Sequence, residues 1–102
     1  MKLLFSPEAK EDMDSIFYFY AQYNEEYAYR LYNQFIERAE NLLHFPKMAP
    51  VEELLKEYTE EYRSLLVQNT YKLVYFIENE TIHVVAVFDC RQNPQKMKKY
   101  NL

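Results

Sequence analysis

The sequence predicts an α+β fold in which a helical hairpin packs on one face of a small, mainly antiparallel four-stranded sheet, in the order β-α-α-β-β-β. Two observations support this prediction. Apolar residues recur at helical spacing between residues 7 and 45, and from residue 62 onwards they form β-rich runs separated by short polar links. With 102 residues the chain is long enough for one core, so we expect residues 1–102 to form a single domain.

The chain begins with a predicted short strand and a first helix. Residues 2–5 (KLLF) form a short apolar run. Ser6 and Pro7 then mark a helix start, because a serine side chain can accept free backbone N–H groups and proline fits the first helical position. The helix should end near residues 22–24. Its apolar stripe consists of Ala9, Met13, Ile16, Phe17 and Tyr20.

A second helix is predicted from about Glu25 to Phe45, where Pro46 ends it. Because only a short link separates the two helices, we expect them to form an antiparallel hairpin. Residues 46–60 are predicted to be a loop with one helical turn near residues 52–57. The apolar face of the second helix consists of Ala28, Leu31, Tyr32, Phe35, Ile36, Ala39, Leu42 and Leu43.

Three strands follow as an antiparallel meander. They are residues 62–67 (YRSLLV), 71–78 (YKLVYFIE) and 81–89 (TIHVVAVFD), with short polar links at residues 68–70 and 79–80. The last run is apolar on both faces, which predicts a central position in the sheet. Two helices covering one face of this sheet complete the α+β arrangement.

Composition excludes several classes of function. The chain has no glycine, which excludes Gly-rich phosphate-binding loops. With one cysteine and two separated histidines, it offers neither an internal disulfide nor a zinc site, and we expect no cofactor. No apolar stretch reaches the length of a signal peptide core or a membrane span, so a soluble, cytoplasmic protein without a membrane partner is expected.

Charge is distributed unevenly along the chain. Residues 1–60 carry six basic and twelve acidic side chains, whereas residues 61–102 carry six basic and four acidic ones, within a total net charge of −4. The net charge argues against a basic protein that coats nucleic acid. Any anion-binding surface is therefore expected in the second half of the chain.

Strand register predicts which polar side chains share a face of the sheet. Pairing Glu78 with Thr81, and Leu66 with Tyr71, sets the register of the meander. Because side chains alternate with period two, four polar residues then gather on the face away from the helices: Arg63, Lys72, Asp89 and Arg91. Their apolar neighbours there are Leu65, Val74 and Val87, and the helix-covered face carries Leu73, Tyr75, Ile77, Ile82, Val84, Ala86 and Phe88.

This polar group has two interpretations. Three cations and one carboxylate on an open sheet could bind phosphate or an acidic segment of a partner. Alternatively, Arg91 pairs with Asp89 and the other two cations are solvated strand residues.

Three further features lie outside this group. Cys90 is predicted to alternate onto the helix-covered face as a small buried hydrophobe. The hairpin has more tyrosines than one apolar stripe can bury, which indicates a contact with a second copy or a partner; these are Tyr18, Tyr23, Tyr27 and Tyr29. The basic tail at residues 95–102 is expected to be mobile.

The stretches FSPEAKEDMDSIFYFY (residues 5–20) and YRSLLVQNTYKLVYFIENETIHVVAVFDCRQNP (residues 62–94) are similar to those of a known family. The chain resembles the RelE/ParE superfamily of toxins from type II toxin–antitoxin modules, also described as plasmid-stabilisation proteins. The resemblance covers almost the whole chain. Its most specific parts are the Ser-Pro-x-Ala helix start, the Tyr62-Arg63 pair, the strand at residues 71–75 and Arg91. It implies a growth inhibitor that a cognate antitoxin neutralises.

Members of this superfamily divide by mechanism. RelE-like toxins cut mRNA in the ribosomal A site with basic residues on the sheet, whereas ParE-like toxins bind DNA gyrase and trap its cleaved complex without chemistry of their own. The RelE-like pattern places basic residues at Arg63, Leu65, Lys72 and Arg91, so Leu65 departs from it. The aromatic residue that follows the last strand in RelE-like members would fall near Met97.

Catalytic roles for Arg63, Lys72, Arg91 and Asp89 are therefore expected only if the chain is RelE-like, and whether it is an enzyme stays open. The missing lysine and the acidic net charge favour a ParE-like, gyrase-directed and non-nucleolytic toxin. The alternatives are a ribosome-dependent mRNA endonuclease, or a degenerate member that binds its antitoxin without toxicity. Expected partners are the antitoxin and either gyrase or the ribosome with its mRNA, in a homodimer or a toxin–antitoxin hetero-oligomer.

Overall fold

The structure is a computed structural model that describes residues 1–100 and residue 102. Two helices pack on a four-stranded sheet in the order β-α-α-β-β-β, which confirms the predicted α+β arrangement. The elements are β1 (Lys2–Phe5), α1 (Pro7–Ala21), α2 (Glu25–Asn41), β2 (Arg63–Val67), β3 (Tyr71–Glu78) and β4 (Thr81–Asp89), with short 3₁₀ helices η1 (Glu53–Leu55) and η2 (Pro94–Lys99).

Both helices of the hairpin begin where the sequence supplies a capping side chain. The Ser6 hydroxyl accepts a hydrogen bond from the Ala9 backbone N–H at 3.0 Å, and the Asn24 side chain accepts one from the Tyr27 N–H at 3.0 Å. Each cap satisfies a backbone donor that has no partner inside the helix. None of the described helices is long and apolar enough to cross a lipid bilayer.

The sheet has the strand order β1-β4-β3-β2, with β1 parallel to β4 and the other pairs antiparallel. Strand β4 therefore lies between two neighbours, which confirms its predicted central position. Asp89, at the end of β4, and Arg91, which follows it, are therefore placed at the middle of one edge of the sheet.

The register of the meander differs from the prediction at two places. The loop at residues 68–70 pairs Val67 with Tyr71, so β2 is shifted by one residue relative to the predicted pairing of Leu66 with Tyr71. In β4 a β-bulge inserts one residue: Val74 lies opposite Ala86, but the next residue of β3 lies opposite Val84. A shift of one residue moves a side chain to the other face, so both differences change the membership of the two faces.

The sheet is covered on both sides rather than on one. Beneath the hairpin lies a core of buried residues that includes Ala9, Met13, Leu31, Phe35, Leu65, Leu73, Tyr75, Ile82, Val84 and Val87. The opposite face carries a second cluster, Leu55, Tyr62, Val74, Ala86, Phe88 and Met97, which η1 and η2 cover. The predictions that Ala86 and Phe88 face the helices, and that Leu65 and Val87 lie on an open face, were therefore wrong.

One further prediction is corrected near the end of the chain. Cys90 is exposed instead of buried, because it lies beyond the last residue of β4. The C-terminal segment forms η2 and buries Met97 in the second cluster, while its predicted mobility stays a prediction and residue 101 lies outside the described residues. The buried Met97 side chain packs this segment against the sheet, and the Tyr100 hydroxyl donates to Asp12 on α1 at 3.0 Å.

Candidate functional site

Arg63 lies on the helix side of the sheet and stabilises a loop. Its cross-strand partner is Tyr75, whose side chain belongs to the helix-side core. The Arg63 guanidinium donates to the carbonyl oxygen of Ala49 at 2.7 Å and to the Glu61 carboxylate at 3.0 Å. With a third bond to the Lys47 carbonyl at 3.4 Å, they join β2 to the segment that precedes it and use three of the five N–H donors of Arg63.

Lys72 lies on the opposite face and forms part of a half-buried polar cluster. Its Nζ donates to the Glu52 carboxylate at 2.7 Å, and the Ser64 hydroxyl donates to the same carboxylate oxygen at 2.8 Å. Burial alone would raise the pKa of Glu52, but the bonds from Lys72, Ser64 and the Leu54 N–H outweigh it and hold that pKa below its usual value. The cluster therefore keeps Glu52 charged, with Lys72 as its counterion.

The predicted four-residue group is consequently not formed. Arg63 faces the helix side, Lys72 faces the second cluster, and Asp89 and Arg91 lie at the end of β4 where Val87 turns to the helix side. The β-bulge in β4 and the three-residue loop before β3 are the physical reasons, because each shifts one strand by one position. Of the four residues, the structure brings only Asp89 and Arg91 into contact.

Asp89 and Arg91 form a bidentate ion pair at the exit of β4. The Arg91 Nε lies 3.0 Å from Asp89 Oδ1, and its Nη2 lies 2.9 Å from Oδ2. The Arg91 backbone N–H also donates to Oδ1, at 2.9 Å, which fixes the turn. The guanidinium holds the pKa of Asp89 below its usual range, although Arg91 itself is largely exposed to solvent.

Two tyrosines from other elements complete the surroundings of Arg91. Its Nη2 lies 3.4 Å from the hydroxyl oxygens of both Tyr20 on α1 and Tyr71 on β3. The Tyr71 hydroxyl donates to that of Tyr20 at 3.3 Å, and the Arg91 guanidinium carbon lies 5.9 Å from the centre of the Tyr71 ring. Arg91 is thus oriented by a carboxylate, two phenols and an aromatic face.

The two tyrosines differ in their acidity. Hydrogen bonds from Tyr71 and then from Arg91 lower the pKa of the Tyr20 hydroxyl. Burial, followed by its bond to Tyr20, raises the pKa of Tyr71. Tyr20 is therefore the phenol that more readily carries negative charge next to Arg91.

These residues line an open cleft of about 300 Å³ between α1 and the end of β4, which we call the Arg91 cleft. Its lining residues are Asp12, Ser15, Ile16, Phe19, Tyr20, Tyr71, Val87, Asp89, Arg91, Gln92 and Tyr100. Cation, carboxylate and phenol groups meet apolar walls there, and such a cleft suits a polar side chain or backbone segment of a partner.

Asp12 forms the floor of the cleft and was not predicted as a site residue. Its Oδ2 accepts hydrogen bonds from the Val87 backbone N–H at 2.8 Å and from the Tyr100 hydroxyl at 3.0 Å. Burial raises its pKa, and these two bonds only partly offset that effect. The signal in the sequence was an aspartate between the apolar stripe residues Ala9 and Met13, which places it at the edge of the buried face of α1.

The described residues were searched for side chains that could bind a metal ion together. Within residues 1–100 and 102, no group of three or more His, Cys, Asp or Glu side chains is arranged to hold a metal ion.

Comparison with known proteins gives one family. A family model described as "ParE toxin of type II toxin-antitoxin system, parDE" matches residues 3–94. No curated protein matches the chain. Ten chains of solved structures match its fold; one of them, from "Chromosomal ParDE TA system from P. aeruginosa", has a TM-score of 0.72 at 16% identity, over 87% of this chain and 95% of that one. At this identity the structural similarity concerns the fold.

Proposed function

The chain belongs to the ParE toxin family of type II toxin–antitoxin systems, and from that premise we propose that it is a gyrase-directed, non-nucleolytic growth inhibitor neutralised by a cognate antitoxin. We propose further that residues 1–102 act as one toxin domain in the cytoplasm, in a homodimer or a toxin–antitoxin hetero-oligomer. The observation that supports the absence of nuclease chemistry is that Arg63, Lys72 and Arg91, which a nuclease centre would bring together, lie apart and are ion-paired.

Cleavage of RNA requires a base for the 2′-hydroxyl, positive charge at the phosphorane and an acid for the leaving oxygen. Here Arg63, Lys72 and Arg91 are each ion-paired, and they lie at three separate places on the sheet. The Lys72 ammonium group is already bound to the Glu52 carboxylate at 2.7 Å on the face that carries the second cluster, so it is engaged in a structural ion pair and not grouped with the other two cations.

The position of the missing lysine leads to the same conclusion. Leu65, which stands where RelE-like members have a lysine, is only 4% exposed and belongs to the helix-side core. A lysine there would be buried among apolar side chains unless the register changed. The net charge of −4 also disfavours entry into a ribosomal site that is lined by phosphates.

Within this function we assign the Arg91 cleft to the contact with the target. Arginine and tyrosine are the residue types most often found at energetic centres of protein interfaces. Arg91 is exposed and held in one orientation by Asp89, Tyr20 and Tyr71, so little side-chain entropy remains to be lost on binding.

The test measures both candidate activities with the same preparation. The purified full-length chain is added to gyrase and supercoiled DNA, and the cleaved complex is quantified on gels. In parallel, the chain is expressed without antitoxin and cellular mRNA 5′ ends are mapped. Accumulation of cleaved gyrase complexes with intact mRNA is expected, and co-expression of the antitoxin should abolish it.

Two results would contradict the proposal. Codon-positioned mRNA cuts with unaffected gyrase would make the chain a ribosome-dependent endonuclease. Normal growth, unaffected gyrase and intact mRNA, in a chain that still binds its antitoxin, would make it a member without toxicity.

A further inference from the structure

Exposed aromatic side chains are concentrated on the helical hairpin. Tyr18 on α1 and Tyr29 on α2 are 68% and 55% exposed. With the half-buried Phe17 and Tyr32 they line an open pocket of about 230 Å³, which we call the aromatic pocket. It shares no lining residue with the Arg91 cleft, so it is a separate feature of the surface.

The rings of the aromatic pocket are arranged as walls. The Phe17 ring centre lies 4.8 Å from that of Tyr29, 5.4 Å from that of Tyr18 and 6.1 Å from that of Tyr32. The three interplanar angles are 68°, 82° and 85°, so the rings meet edge to face. The face of an aromatic ring carries negative potential that attracts a cation.

A carboxylate lies in the same pocket. Asp14 on α1 is the fifth lining residue, and among the described residues no lysine or arginine forms an ion pair with it within 4.0 Å. Partial burial, and then the Asp14 charge, raise the pKa of Tyr32, which places the carboxylate beside that hydroxyl. Aromatic faces together with an uncompensated carboxylate form a site for a cationic group.

We infer that the aromatic pocket receives a lysine or arginine side chain of the antitoxin. This inference rests on the proposed function. The antitoxin is favoured over the target because the target contact is assigned to the Arg91 cleft, with which the aromatic pocket shares no lining residue, and a cluster of exposed aromatic rings marks a further protein contact. Charge complementarity agrees, since residues 1–60, which include the hairpin, carry twelve acidic and six basic side chains.

The experiment is a binding titration between the full-length chain and its purified cognate antitoxin. Asp14→Asn and Tyr29→Ala are each expected to raise Kd about tenfold, as for a desolvated cation–π contact. Asp14 is exposed, so Asp14→Asn leaves the core intact. Glu37→Gln is the matched control, because it removes one exposed carboxylate from α2 outside the pocket and should leave Kd unchanged.

A second step identifies the cation. Each lysine and arginine of the antitoxin is replaced by methionine and titrated against the wild-type chain and the Asp14→Asn variant. One of these replacements should weaken binding to the wild type but have little further effect on the Asp14→Asn variant, which is the signature of a direct pair in a double-mutant cycle.

The outcomes separate this inference from the proposed function. Tight binding of wild type, Asp14→Asn and Tyr29→Ala within about twofold of one another would overturn the inference and leave the toxin assignment intact. Additive effects of Asp14→Asn with every antitoxin replacement would overturn it too. Failure of the wild-type chain to bind the antitoxin would overturn the proposed function, and this inference with it.

Discussion

Two ion pairs on neighbouring strands differ in their environment although their lengths are nearly equal. Lys72 and Glu52 are 2.7 Å apart, and the Glu52 side chain is only 6% exposed. Arg91 and Asp89 are 2.9 Å apart, and the Arg91 side chain is 61% exposed. The first pair lies against the second core cluster, whereas the second lies at the mouth of a cleft.

The comparison shows that an ion pair of this length can lie inside a core or remain accessible at the surface. A buried carboxylate that loses its counterion remains in a poor solvent, so breaking such a pair is costly. A solvent-exposed pair exchanges its partners for water at little cost. We therefore expect Lys72 to matter for stability and Arg91 to matter for the proposed target contact.

The largest expected effect comes from breaking the buried pair. Lys72→Met leaves Glu52 without a counterion and should lower the free energy of unfolding by about 2–3 kcal/mol. This is less than the cost of about 3–5 kcal/mol for a fully buried pair, because Lys72 keeps some contact with solvent. Urea unfolding measures this change. Adding Glu52→Leu to the variant should recover most of the loss, and a change below about 0.5 kcal/mol in the single variant would show that the pair is not structural.

Acid should erase the difference between wild type and the Lys72→Met variant. The pKa of Glu52 in the folded chain is below the value of 4.5 that it has in a free chain. A lowered pKa stabilises the fold above the unfolded value, and this stabilisation is lost as the pH falls through the folded pKa. Urea unfolding from about pH 7 to about pH 3 should show the two stabilities converging, whereas a constant gap would indicate that Lys72 acts through packing.

The exposed pair should give the opposite result. Arg91→Ala is expected to lower formation of the cleaved gyrase complex at least about tenfold, while the free energy of unfolding changes by less than about 1 kcal/mol. Arg38→Ala is a matched control, since Arg38 is a cation of the hairpin outside the cleft, with a single bond to the Leu66 carbonyl. Full activity of Arg91→Ala would move the target contact away from the cleft.

The sequence predicted the elements well because their signals are local. Ser6 and Asn24 cap the helices within three residues of themselves, and the bounds of β3 and β4 coincide with the apolar runs. The register was predicted wrongly because the sequence does not show which residue forms a bulge or how a loop pairs the strands that it joins. In β4 the run Val84–Val87 is uniformly apolar, so alternation cannot show which residue forms the bulge.

The candidate site was predicted only where it is local in sequence. The Asp89–Arg91 pair is separated by two positions and was one of the two interpretations of the polar group. Tyr20, Tyr71 and Asp12 reach the same cleft from α1 and β3, across sequence separations that no spacing rule covers. In the sequence, Tyr20 was assigned to the apolar stripe of α1, so it did not indicate a site.

Asp12 differs from the carboxylates of both ion pairs, because it is partly buried and its hydrogen-bond partners carry no charge. Burial raises the pKa of Asp12, so its contribution to stability falls as the pH rises through its pKa in the folded chain.

Tyr100→Phe removes the 3.0 Å bond that partly offsets burial. It should lower the free energy of unfolding by about 1 kcal/mol at neutral pH, and by less in acid, where Asp12 is protonated. Tyr58→Phe is the control, since its hydroxyl donates to the exposed Lys98 carbonyl at 3.2 Å and should cost less. Equal losses at every pH would mean that the contribution of the Tyr100 hydroxyl does not depend on the charge of Asp12.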